Sequence, residues 1–290
     1  MSRIDADGQN RTGARRSRPS AGFALVASEL SVLYRRRRTW AMLAALAAVP
    51  ILIAVAVRVT TRSSGGRGPA FLDQITHNGL FVGLTALIVA IPLFFPLTIG
   101  VVAGDTIAGE ASHGTLRYLL IAPAGRIRLL AVKYVGAAVF SISATLAVVS
   151  SGTMIGIALF PVGPVTLLSG DTIDIGQSIV RLAVIGAFVT VSLLGLCAIG
   201  LFISTLTDVP VGAMAATIVL AVASQVLDQI PQLDWLHPWL FSHYWLDFGD
   251  LLRQPIEWTS FGENALLQFG YFAVFGALAY GRFVTKDVLS

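Results

Sequence analysis

The sequence predicts an all-α membrane protein with six transmembrane helices. Three observations predict it. Only 12% of the 290 residues are charged, about half the share usual in a soluble domain, and 55% are hydrophobic. Those few charges separate six charge-free runs, each long enough to cross a ~30 Å hydrocarbon core as a helix. When the runs are threaded alternately through a bilayer, the basic residues collect on one side, which marks that side as cytoplasmic.

Residues 1–20 are rich in Arg, Ser and Gly and read as a disordered, basic cytoplasmic tail. An arginine cluster ahead of an apolar run superficially looks like a twin-arginine signal. However, the run Trp40 to Val57 is longer than a signal core, no A-x-A site follows it, and five more runs do. Residues 21–290 form one transmembrane domain. At its start Phe23, Val26, Leu30, Leu33 and Tyr34 recur at helical spacing, with Ser28, Glu29 and Ser31 between them. This predicts an amphipathic interfacial helix on the cytoplasmic face. The Arg35 to Arg38 run then meets anionic lipid head groups.

The expected spans are about 40–57, 79–104, 134–159, 182–204, 210–227 and 264–281. Pro161 and Pro164 end the third. Six spans put both termini on one side. Fifteen Arg and Lys residues fall on that side and five on the other, so both termini are expected in the cytoplasm. Of the basic residues, 18 are Arg and two, Lys133 and Lys286, are Lys. That bias suits a GC-rich bacterial genome, hence a bacterial plasma membrane. The single cysteine, Cys197, lies in an apolar run and excludes a disulfide framework or a thiolate metal site.

The runs themselves hold no ionisable residue. Ion-coupled carriers usually keep such residues inside their spans, although unwound backbone carbonyls can bind Na⁺ without them. The pattern therefore points to an energy source outside the membrane. This chain does not contain it. A P-loop needs Gly-Lys-Ser/Thr, and the two lysines follow Val132 and Thr285.

The segment between spans two and three carries the most pattern. It reads Gly104-Asp-Thr-Ile-Ala-Gly-Glu110, then Gly114-Thr115-Leu116, Leu119, Leu120, Pro123, Arg126 and Lys133. Asp105 and Glu110 suit the start of a short helix. Leu116, Leu119 and Leu120 give it an apolar stripe, and Pro123 ends it. A surface helix with apolar knobs and acidic ends is suited to docking.

This ordering of Gly-Asp, Ala-Gly-Glu, Gly-Thr-Leu, Pro, Arg and Lys resembles the first cytoplasmic loop of ABC-2-type transporter permeases. Glu29 ahead of span one, the short loop Ser204 to Pro210, and the ending Phe283-Val-Thr-Lys-Asp287 also resemble that family. The resemblance implies that the loop holds a cytoplasmic coupling helix around Glu110 to Leu120, seated on an ATPase subunit. The implied coupling residues are Asp105, Glu110, Gly114, Thr115, Leu116, Leu119, Leu120 and Arg126. It further implies two ATPase chains that bind ATP and Mg, and a second permease chain, identical or different. No cofactor is expected in this chain and no nucleic-acid partner.

Residues 228–263 hold four of the five tryptophans and six carboxylates. They form either a re-entrant cap over an outer mouth, as the resemblance implies, or a passive aromatic belt, and the two are compatible. Trp235, Trp239, His243 and Trp245 are its candidate gate or interface residues. His243 and Asp247, four apart, could share a helix face and hold a metal, but no third ligand has a recognisable motif. Three function classes follow. They are a permease subunit that exports a drug, lipid or peptide, an ATP-independent carrier or channel, and a membrane-embedded enzyme using His237, His243 and Asp247.

Overall fold

A computed structural model describes residues 21–64, 75–114, 125–167 and 169–285. Helix α1 (Ala21–Arg35) is followed by α2 (Arg37–Ser64). Helix α3 (Phe81–Val89) continues through a π-helical segment, Ala90–Phe94, into α4 (Phe95–Ser112). Then come α5 (Arg126–Leu159), a small hairpin of β1 (Val165–Thr166) and β2 (Thr172–Ile173), α6 (Ile175–Leu206) and α7 (Pro210–Asp228). Short 3-10 turns at Pro231–Leu233, His237–Trp239 and His243–Leu252 lead to α8 (Thr259–Thr285).

Among the described residues, five stretches are long and apolar enough to cross a membrane: α2, α3 with α4, α5, α6 and α7. Helix α8 is long enough at 27 residues, or roughly 40 Å, but it is less apolar. The α3–α4 stretch and α6 are the most buried, and the others are arranged around them. The core is apolar, with Leu46, Phe95, Phe140, Ile185 and Phe188 fully buried. Large apolar side chains such as Leu52, Met154, Val211, Val219 and Leu266 point outward. Such an exposed surface is expected where the solvent is lipid rather than water.

Helix contacts depend on small residues. Gly79 and Gly83 lie against Gly156 and Gly152, so two glycine pairs spaced four apart cross each other. A Cβ on Gly152 would sit 2.7 Å from the Gly83 Cα. Gly100 and Gly104 likewise receive Ile218 and Met214 of α7. In lipid there is no hydrophobic drive between helices, so close backbone approach through small residues is a main source of affinity. The π segment arises where Pro92 and Pro96 interrupt a helix. Pro96 has no N–H for the Pro92 carbonyl four residues back, and Gln225 of α7 donates to that carbonyl at 3.0 Å.

The bundle has two unlike ends. Arg36, Arg38, Arg126, Lys133 and Arg282 mark a basic end, and Asp171, Asp228, Asp234, Asp250 and Glu257 mark an acidic end. Several helices extend beyond the limits of the expected spans. The third begins at Arg126 rather than 134 and the fourth at Ile175 rather than 182, while the second runs on to Ser112. A rule that stops at the first charge misses helix that continues past it, because those charges find partners inside the protein.

Candidate functional site

Arg36, Arg38 and Lys133 of the basic end converge on one cluster of charges. Lys133, in the second turn of α5, is 4% exposed. Its Nζ donates to Glu29 Oε2 of α1 at 2.8 Å and to Glu29 Oε1 at 2.9 Å, and also to Glu110 of α4. Beside it, Asp105 accepts from Arg36 at 2.9 Å and from Arg38. Three carboxylates thus meet three cations, and the cluster is neutral. Backbone geometry places each partner. Gly136, one turn beyond Lys133, leaves room for the Glu29 stem. Thr39 donates to the Leu33 carbonyl at 2.6 Å and fixes the break between α1 and α2. Tyr34 and Ser143 also share a hydrogen bond from α1 to α5. The amphipathic segment is a helix, but Glu29 faces the protein rather than the solvent. Helix α1 is held onto α5.

The position of Asp105 and Glu110 corrects the sequence expectation. They do not start a separate short helix, because α4 continues from Phe95 through both of them to Ser112. Within the chain Asp105 pairs with Arg36 at the α1–α2 junction and with Arg38 of α2, and Glu110 pairs with Lys133 of α5. Gly114 has φ of 69°, the left-handed conformation that ends many helices, and its N–H donates to the Ala111 carbonyl. Thr115, Leu116, Leu119, Leu120 and Pro123 lie outside the described residues. Arg126 opens α5 and donates to the Phe283 and Val284 carbonyls at the C-terminal end of α8, where a cation suits the unpaired carbonyls.

Ser204 was expected to begin a loop. It is fully buried within α6. Its Oγ accepts from the N–H groups of Ile107 and Ala108 and donates to the Gly104 carbonyl at 2.7 Å. A side chain is thus inserted into the α4 hydrogen-bond ladder, binding α6 to the same helix that carries Asp105 and Glu110.

At the acidic end the four candidate residues separate. Trp235 and Trp239 are 71% and 69% exposed, as belt residues are, but Trp245 is 2% exposed. Its Nε1 donates to the Ser192 carbonyl at 2.9 Å, so it anchors the 3-10 segment onto α6. Asn264 donates to Ser192 Oγ, and Gln268 to the Phe241 carbonyl. Arg181, buried at the start of α6, donates to the Leu251 and Arg253 carbonyls and to Gln254. Sequence reading missed Arg181 as an anchor; its place immediately before a charge-free run was the available signal.

His243 and Asp247 do not share an α-helical face. Their segment is 3-10 helix, in which positions three apart, not four, align. His243 Nδ1 instead lies 2.7 Å from Asp228 at the end of α7. Among the described residues no group of three or more His, Cys, Asp or Glu side chains is placed to hold a metal. Burial raises the Asp247 carboxyl above its ordinary range; His243 opposes this, and Asp250, Asp228 and Glu263 reinforce it. Burial also raises the Tyr244 phenol, as do the negative charges of Glu263 and Asp247.

A family model described as ABC-2 family transporter protein matches residues 23–288. No curated protein matches the sequence.

Proposed function

Because the chain belongs to the ABC-2 family of transporter proteins, a family of multi-pass membrane transport subunits, we propose that it is the permease of an ATP-driven exporter. In this reading α8 is the sixth span and both termini are cytoplasmic. The basic end is then the cytoplasmic end, in keeping with the excess of Arg on that side. Two permease chains work with two separate ATPase subunits, which bind the ATP and Mg. The cargo is hydrophobic or amphipathic and leaves from the cytoplasm or the inner leaflet.

One observation carries the reading. Helices α4 and α5, which flank residues 115–124 in the chain, meet in the cluster in which Lys133 binds both Glu29 and Glu110. A push delivered there by an ATPase passes into α4, which is packed against α6 and α7. Residues 110–120 supply the docking contact, with Leu116, Leu119 and Leu120 as its apolar side. The test is crosslinking from a cysteine at Ser112, after Cys197→Ala, to a coexpressed ATPase. Crosslinks that form from Ser112 and change in yield with bound nucleotide are expected. Crosslinks that form only from residues 204–210 would refute the assignment.

A further inference from the structure

A groove of ≈ 630 Å³ runs along the outward face of α8 at the acidic end. Its walls include Trp239, Tyr244, Glu263, Leu266, Gly270 and Tyr271. The volume is in the usual range for a small-molecule site. We propose that this groove binds a cationic amphiphile, with its alkyl chain along Leu266 and Gly270 and its ammonium head between Glu263 and the aromatic rings.

The chemistry of the head decides the occupant. The groove faces lipid, and lipid tails are as apolar as leucine, so an alkyl chain gains little by moving from the bilayer into it. Selectivity must come from the polar rim. That rim holds a carboxylate and three electron-rich rings, and cations are drawn to the faces of Trp and Tyr. The arrangement is held in place: Tyr271 donates to the Trp239 carbonyl at 2.7 Å, and Glu263 lies near enough to Tyr244 for its charge to act on the phenol. The surrounding field has the same sign. Residues 228–263 carry six carboxylates and a single arginine, Arg253, which lies 3.5 Å from Asp250. An anionic head would meet like charge throughout. Gly270 has no neighbour within 4 Å of a would-be Cβ, so the groove is open where the chain would lie.

The inference deepens the proposed export function by naming a cargo class and rests on it for that role, but its test needs no ATPase. The purified chain is placed in nanodiscs of an uncharged glycolipid. Three probes share one diazirine-bearing alkyl chain and differ only in a trimethylammonium, an uncharged glycol or a sulfate head. Photolabelled peptides are then mapped. The ammonium probe should label residues 263–275 about fivefold more than the sulfate probe, a ratio typical of one exposed ion pair. Glu263→Gln should largely abolish that preference. Gly270→Trp should fill the groove and remove labelling by all three probes, while Gly276→Trp, also in open space, should leave it intact. Labelling that ignores head charge, survives Gly270→Trp or spreads evenly over the lipid-facing helices would overturn the site. Loss of this binding with ATPase crosslinking retained would refute the site alone. The reverse result would refute the transport role and leave the site.

Discussion

Replacing Lys133 with Met tests whether the neutral cluster joins three helices or merely decorates the surface. The side chain is buried and holds Glu29 and Glu110. Removing it leaves two carboxylates facing each other without the lysine's charge between them. Breaking a buried ion pair in this way costs about 3–5 kcal/mol. Here the two glutamates remain 22% and 18% exposed, so water recovers part of the loss, and a cost of about 2–3 kcal/mol is expected. The assay is thermal unfolding in one detergent, read by tryptophan fluorescence. The control is the triple variant Lys133→Met, Glu29→Gln, Glu110→Gln. If charge is the cause, neutralising all three should recover most of the loss, since buried pairs roughly break even against uncharged replacements. A Lys133→Met variant as stable as the wild type, or a triple variant no better than the single, would refute the reasoning.

Two further perturbations probe other parts of the fold. Gly152→Ala places a Cβ 2.7 Å from the Gly83 Cα and 3.3 Å from Pro50; the backbones must separate, so a loss of about 1–3 kcal/mol is expected, checked against Gly276→Ala in open space. Asp247→Asn should stabilise the protein at neutral pH. Burial raises the folded-state carboxyl, so the folded protein holds this proton more tightly than the unfolded chain and loses stability as pH rises through the window between the ordinary and raised values. The gain should therefore be present above that window and vanish below it, as followed by melting at several pH values.

Helices were legible wherever a charge-free run exceeded the thickness of a bilayer, as with Pro210–Asp228, whose expected limits were 210–227. Their ends were not, because a charge was taken as a stop. Lys133, Asp105 and Arg181 are charges that a helix retains when partners are supplied from distant sequence: Glu29 is 104 residues from Lys133, and Leu251 is 70 residues from Arg181. No local pattern encodes such pairings. The same limit explains His243. Spacing of four implies a shared face only in an α-helix, and the Pro-rich, Trp-rich segment forms 3-10 turns. Glycine spacing was the signal left unused, since Gly79, Gly83, Gly152 and Gly156 stand in two four-residue steps and meet pairwise.

These contacts determine how a displacement at Ser112 travels. Helix α4 is held on three sides: by Lys133 to α1 and α5, by the buried Ser204 hydroxyl to α6, and by Gly100 and Gly104 to α7. The first is a largely buried ion pair, the second is a fully buried hydrogen bond, and the third is a backbone approach with no room for slip. The pairing of Asp105 with Arg36 and Arg38 is weaker, because those arginines are 48% and 43% exposed and exposed ion pairs contribute only about 0–1 kcal/mol. A push on α4 therefore carries α6 and α7 with it before it strips Ser204 from the ladder. The compliant points are the Asp105 pairing with the α1–α2 junction and the π segment, where helical hydrogen bonding is already interrupted. In the proposed function, α6 is the path by which motion from the basic end would reach the acidic end, because its Ser192 holds both Trp245 and Asn264.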